Sequence, residues 1–334
     1  GHRPTHDGVG PGVVTSTVPS TLDGPGTVPE PPSGRQYVIT DGDQRAVITQ
    51  VGATLREYTV HGQPVIDGFE AGDRASDGRG QVLAPWPNRL TGGRYTFGGQ
   101  RCQAPLNEPD RGNAIHGLVR WLDWTEITHT AKEVVLGCVL RPQPGYEWQL
   151  NVQVGYRVTG DGLTVSSRAV NTGGDAAPFG LGFHPYLTLG VPVDGLQLRL
   201  PTRIHLPSAD PDVPPAPTSV SGTPLDFSTP RLIAAARLDT AYGGLSRGVD
   251  GRAVAELSDP AGRRGLRLWV AEPFPYLMVY TGDQVGRPER RRRAVAIEPM
   301  TCPPNALRSG AGLITLRPQQ AWQGDWGVTA TATG

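Results

Sequence analysis

From Arg35 onward the chain is written in short β-branched or alternating runs. RQYVIT, RAVITQ, ATLREYTV and PVID come first, broken by Asp-Gly, Val-Gly and His-Gly pairs. TEITHT, EVVLGCVL, EWQLNVQVGYRV and GLTVSSRAVNTG follow, then GLQLRLPTRIHL, AVAELSD, GLRLWV, YLMVYTG, AVAIE, GLITLRP and WGVTATA. Runs of this length and texture, closed by Gly and Pro, are strand–turn–strand spelling. GGRYTFGGQRCQA reads as a hairpin turning at Gly98-Gly99. The 45 glycines and 33 prolines are scattered without a period, which excludes collagen and long helices. Leu232–Leu238 alone has an alanine-rich piece suited to one helical turn. No blade or solenoid repeat interrupts the pattern. The expectation is an all-β fold, one large antiparallel sandwich over 35–334 without an internal linker.

Residues 1–34 have a different texture. Pro, Gly, Thr and Ser recur with few large apolar side chains, so the segment is expected to be a disordered tail outside the fold. It begins at Gly1, which suggests processing.

Charge narrows the partners. Thirty-one Lys+Arg balance 31 Asp+Glu, which leaves no electrostatic case for nucleic acid or an anionic membrane. No apolar run reaches a membrane span, and no signal-peptide core is visible. Cys102, Cys138 and Cys302 are odd in number, far apart and without a C-x-x-C pair, which fits reduced core thiols in a cytoplasmic protein. Oligomeric state is not legible.

The chemistry gathers around AVAIEPMTCPPNAL, residues 294–307. Ala-Val-Ala-Ile reads as a buried strand, and Glu298 follows it directly before Pro299, where pairing is expected to stop. A carboxylate at the end of a buried strand is costly unless it is paired or used. Further candidates stand upstream: Asn88 and Arg89 after Pro85-Trp86-Pro87, His116 in Asn-Ala-Ile-His-Gly, His184 in GLGFHPYLTL, and Asp239 in RLDTAYGGL. Taken singly, each has a structural reading as an ion pair, a core histidine or a turn cap.

Taken together, PWPNR, N-x-I-H-G, F-H-P-Y, L-D-x-x-Y and A-I-E-P-M-T-C-P-P-N-A resemble the aldose 1-epimerase (galactose mutarotase) family, in its order and at similar separations, from about Gln36 to Thr331. The arginine run Arg290–Arg293 also resembles the loop before the Glu strand in some members. The resemblance implies an antiparallel β-supersandwich with a sugar cleft, no metal or organic cofactor, and an aldohexose as small-molecule substrate. It implies Glu298 as base toward the C1 hydroxyl and His184 as acid toward the ring oxygen. His116, Arg89, Asp239 and Asn88 would hold hydroxyls, and Trp86, Tyr186 and Phe274 would stack on the sugar. Glu298 and Asp239 are then expected to raise the His184 pKa. Members acting on galactose often carry a glutamine before Tyr-Thr-Gly, where this chain has Met278, so a hydroxyl contact is missing.

Three other readings compete. A hexose-6-phosphate epimerase of the same superfamily would need added cations, with Arg74, Arg79 and Arg120 as candidates. A carbohydrate-binding protein would bind sugar without turnover. A metal-dependent β-sandwich enzyme would ligate through His116, His184, Asp239 and Glu298, but no closely spaced ligand pair supports it.

Overall fold

Alternation decides the layers. In the strand Leu150–Thr159 every second residue, from Leu150 to Val158, is buried, and Leu163, Val165 and Ala169 repeat the pattern in Gly162–Asn171. With a side-chain period of two, such strands present one apolar face to a core. The computed structural model describes residues 29–332 and is built almost wholly of strands. Ser33 is buried, and its carbonyl accepts the Val51 N–H, so packing begins at that turn. For residues 1–28, the expected disordered tail lies outside the described residues.

The larger sheet has nine strands, and the last strand, Ala321–Ala332, lies between Gly162–Asn171 and Arg264–Val270. An eight-stranded sheet contains Asp239–Gly243, Tyr276–Tyr280 and Val295–Met300 side by side, with Gly182–Phe183 and Tyr186–Leu187 both paired to Val295–Met300. A four-stranded sheet runs from Gln36–Asp41 to Gln63–Pro64. Every pairing between these strands is antiparallel, as expected for the sandwich. The two large sheets share one core, in which Phe183 packs on Trp326 with ring centroids 5.3 Å apart.

The Arg94–Phe97/Gln100–Gln103 hairpin turns at Gly98-Gly99, both at positive φ. Leu232–Leu238 holds a hydrogen-bonded turn, not a helical one, after the strand Arg231–Leu232. Among the described residues the one α-helical turn is Ala306–Ser309, which the prolines before it obscured in the sequence. Pairing also runs through Pro299 to Met300, so Glu298 stands inside the strand instead of at its end. Proline fills a ladder position there without needing a donor. All three cysteines are free and buried. No described helix is long and apolar enough to cross a membrane.

Candidate active site

The strand Val295–Met300 has two buried faces. Val295 and Ile297 belong to the shared core, while Glu298 points to the opposite side, into a cleft of about 880 Å³. The neighbouring strand divides in the same way: Leu277 and Val279 face the core, and Tyr280 lines the cleft. Register places Met278 opposite Glu298 on that side. On the other side, Gly182 pairs with Met300 and Tyr186 with Ala296, so His184, at the break between the two short strands, falls beside Glu298. The His184 Nε2 lies 3.3 Å from the Glu298 Oε1, and both side chains are almost fully buried. Neither Glu298 Oε1 nor His184 Nδ1 has a hydrogen-bond partner among the described residues.

His184 is held from three directions. Its ring stacks on Tyr186 at 4.9 Å, meets His116 edge-on at 5.3 Å, and lies under the backbone of Gly78. Tyr186 is itself clamped, with the Arg79 guanidinium on its ring at 4.3 Å and its hydroxyl donating to the Asp77 carbonyl at 2.7 Å. Tyr186 borders the cleft, but contacts with His184 and Arg79 occupy its ring, so it supports the imidazole and does not form the expected sugar platform.

His116 and Asn88 both adopt left-handed backbone, at φ 64° and 57°, and are tied reciprocally. The His116 N–H donates to the Asn88 carbonyl, and the Asn88 N–H donates to His116 Nδ1 at 3.1 Å. That second bond puts the imidazole proton on Nε2. Such conformations cost on the order of 1–3 kcal/mol each and gather at functional sites. Gly117 follows because a Cβ there would run into the Ala84 carbonyl. Arg89 gives Nε and Nη2 to Glu108, at 2.9 and 3.2 Å, and leaves Nη1 3.6 Å from Asp239.

The electrostatics depart from expectation. Burial, with Arg79 and Arg120 nearby, lowers the His184 pKa to about 3, and burial drives His116 well below the usual range. Burial, reinforced by Asp239 and opposed by Arg89, raises Glu298 well above the ordinary carboxylate range. The expected rise of the imidazole pKa is therefore reversed. Taking two charges out of water costs more here than their mutual attraction returns.

The cleft thus brings together Glu298, His184, His116, Asn88, Arg89 and Asp239, and Tyr186 at its wall. Trp86 and Phe274 are not there. Trp86 is 3% exposed within the core, its flanking Pro85 and Pro87 pressed against the 180–182 segment, and Phe274 packs on Phe183 and Trp322. Met278 is buried with Leu206, Ala241 and Met300 and does not line the cleft. Sequence reading missed Glu108, the carboxylate that orients Arg89, and Asp77 and Gly78, which pin Tyr186 and His184; no motif marks them. Of the arginine run, Arg290 pairs with Asp67 and Arg292 with Asp194 and Asp283, so these charges are spent on structure. Among the described residues no three His, Cys, Asp or Glu side chains could hold a metal ion.

A family model described as Aldose 1-epimerase matches residues 35–328. The chain belongs to the aldose 1-epimerase family. The uncharacterized protein YihR of Escherichia coli (strain K12) is 33% identical over 286 residues, 85% of this chain and 89% of YihR. Among solved structures, a GalM/aldose epimerase homologue from C. elegans superposes with a TM-score of 0.79 at 19% identity, covering 90% of this chain and 99% of that one. A galactose 1-epimerase from Lactobacillus acidophilus NCFM gives 0.74 at 21% identity, covering 88% and 93%. At these identities the two structures speak for the fold, which is that of the mutarotases.

Proposed function

We propose that the protein is a mutarotase, interconverting the α and β anomers of an aldohexose by acid–base ring opening and closure. The observation that carries this is the buried Glu298–His184 pair at 3.3 Å on the floor of a polar cleft. Opening a pyranose needs one proton withdrawn from the C1 hydroxyl and one delivered to the ring oxygen. C1 then turns about its bond to C2, and reclosure reverses both transfers. Two adjacent groups sharing a proton can serve, each acting as acid and base in turn. With Glu298 toward the C1 hydroxyl and His184 toward the ring oxygen, the ring opens when the proton lies on the imidazole.

The flanking groups fit this assignment. His116 presents a neutral Nε2–H donor, consistent with its Asn88 bond and lowered pKa. Arg89 Nη1 and Asp239 stand as a donor–acceptor pair for vicinal hydroxyls, with Arg89 braced by Glu108. No metal or organic cofactor and no nucleic-acid or membrane partner enters the scheme.

Polarimetry on freshly dissolved α-glucose and α-galactose tests it. The wild type is expected to speed the approach to anomeric equilibrium, and Glu298→Gln and His184→Asn to lose roughly a hundredfold or more of that acceleration. A Glu298→Gln variant as fast as the wild type would refute the acid–base assignment.

A further inference from the structure

Trp121 is the largest apolar side chain exposed among the described residues, at 53%, and the chemistry above has no use for it. It stands in a second cavity of about 580 Å³, whose walls include Asp73, Arg74, Ser76 and Arg287. Asp77 lines both this cavity and the cleft, and the Arg120 guanidinium on the cleft side lies 5.6 Å from the Trp121 ring. The two spaces therefore meet across one exposed residue. Its place is fixed, since the Asp77 carbonyl accepts the Tyr186 hydroxyl and its carboxylate accepts the Gly286 N–H at 3.1 Å.

The second cavity is equipped for a neutral, hydroxylated ligand. Among the described residues the Arg74 guanidinium and the Ser76 hydroxyl make no hydrogen bond or ion pair, and the Asp73 carboxylate meets only Arg287, at 4.0 Å. Arg74 and Arg287 are balanced by Asp73 and Asp77, and Arg290 is already paired with Asp67, so the cavity does not call for an anion. Guanidinium and carboxylate groups suit vicinal hydroxyls, and the indole offers a flat face to the C–H side of a pyranose. An aromatic wall with a few placed polar groups is how small-molecule sites are commonly built.

We propose that this cavity is a second sugar subsite, and that the cleft takes the reducing end of a disaccharide or longer glycan linked through O6. This rests on the mutarotase reading, which sets the orientation of the reacting sugar. C1 must keep a free hydroxyl, so any further sugar hangs from another position. With His184 at the ring oxygen, C5 and C6 lie on the His184 side, because C5 carries that oxygen and C6 is bonded to C5. His184 lies under Gly78, and the residue before Gly78 is Asp77, the wall shared with the second cavity. O6 therefore leaves the cleft toward Trp121. A link through O4 starts directly on the ring and lacks the C5–C6 bond that lets an O6 link swing over Asp77.

Exchange NMR at anomeric equilibrium measures all the sugars under one condition. Glucose would be compared with isomaltose and gentiobiose, linked through O6, and with maltose and cellobiose, linked through O4, using the wild type, Trp121→Ala and Trp121→Phe. At least one O6-linked sugar is expected to exceed glucose and both O4-linked sugars in kcat/KM by about tenfold, the scale of one well-packed aromatic contact. The gain should come mostly through KM, because the contact lies away from the reacting bond and is the same before and during reaction. Trp121→Ala should abolish the preference and leave kcat/KM on glucose unchanged, which also shows the variant to be folded, and Trp121→Phe should keep part of it. O6-linked sugars no better than glucose, or O4-linked sugars as good as them, overturn the proposal, as does an equal loss on glucose and isomaltose in Trp121→Ala. Calorimetric titration with the same sugars separates the two readings. Trp121-dependent binding of an O6-linked sugar without turnover supports the subsite and removes the mutarotase reading, whereas neither binding nor turnover of any sugar removes both.

Discussion

At Glu298 the requirements of the proposed catalysis and of stability oppose each other. A carboxyl buried with one oxygen unpartnered has its pKa raised, so the native state binds more protons than the unfolded chain between the ordinary Glu value, near ~4.3, and the raised one. Stability from this group is therefore fully present below ~4.3 and declines as pH rises through the folded pKa. Glu298→Gln keeps the shape without the ionisation, and should raise stability at pH 8 by about 1–3 kcal/mol while lowering the rate roughly a hundredfold or more. Denaturant titrations should show the gap closing as pH falls toward 4, and a constant gap would sink the explanation. For His184 the sign is opposite. Its folded pKa is depressed to about 3, so its stability is present above the unfolded value, near ~6.5, and is lost as pH falls toward 3. For activity the pair titrates as a unit, and the form carrying one proton persists from about pH 3 to the raised Glu298 value. The pH profile of kcat/KM on glucose should thus pass smoothly through 6.5, and an acid limb centred there would show an imidazole titrating freely.

The loop before Gln81 acts on the site as an element. Gly78, at φ 75°, lies so close that a Cβ would sit 2.6 Å from His184 Cδ2, while Asp77 next to it holds the Tyr186 hydroxyl and accepts the Gly286 N–H. Gly78→Ala meets both a left-handed strain of about 1–2 kcal/mol and the imidazole. It should cut the mutarotation rate roughly a hundredfold, the cost of an ångström-scale displacement, whereas Gly72→Ala, with open space around it, should not. Polarimetry on the pair decides, and equal rates would mean that the loop does not position the ring. This loop also marks the boundary of what sequence reveals. Glu133–Leu140 and Leu150–Thr159 are legible because long strands repeat their in–out alternation. Gly182–Phe183 and Tyr186–Leu187 are too short to show a period, yet they bring His184 beside Glu298. Glu298, His184, His116, Arg89 and Asp239 were legible through their motifs. Trp86 was misplaced because an aromatic between prolines spells a rim and a core contact alike. Glu108 was missed because its pairing with Arg89 depends on the turn that joins Asn88 to His116 in space.

On the scale of the whole molecule, the site depends on the far end of the chain. Ala321–Ala332 is an interior strand, paired with Gly162–Asn171 on one side and Arg264–Val270 on the other. Without it the nine-stranded sheet would split into two with new open edges, and those backbone groups would lose their partners. Its Trp326, 1% exposed, packs on Phe183, the residue before His184, so the strand also backs the Glu298–His184 pair. Both pairings of this strand join segments far apart in sequence, so the meander Thr125–Asn171 and the strands beyond Arg264–Val270 become one sheet only through it. A chain ending at Gln320 should therefore show no cooperative thermal transition and no near-UV dichroism. Trp326→Ala should fold with a loss of about 3–5 kcal/mol and a slower mutarotation. The strand Thr125–His129 forms an edge of the same sheet and is exposed along its length, so Ile127→Ser there should shift stability by no more than about 1 kcal/mol. If the truncated chain melts cooperatively with its near-UV signal intact, the two halves are independent, and the Phe183–Trp326 contact is not what carries the site.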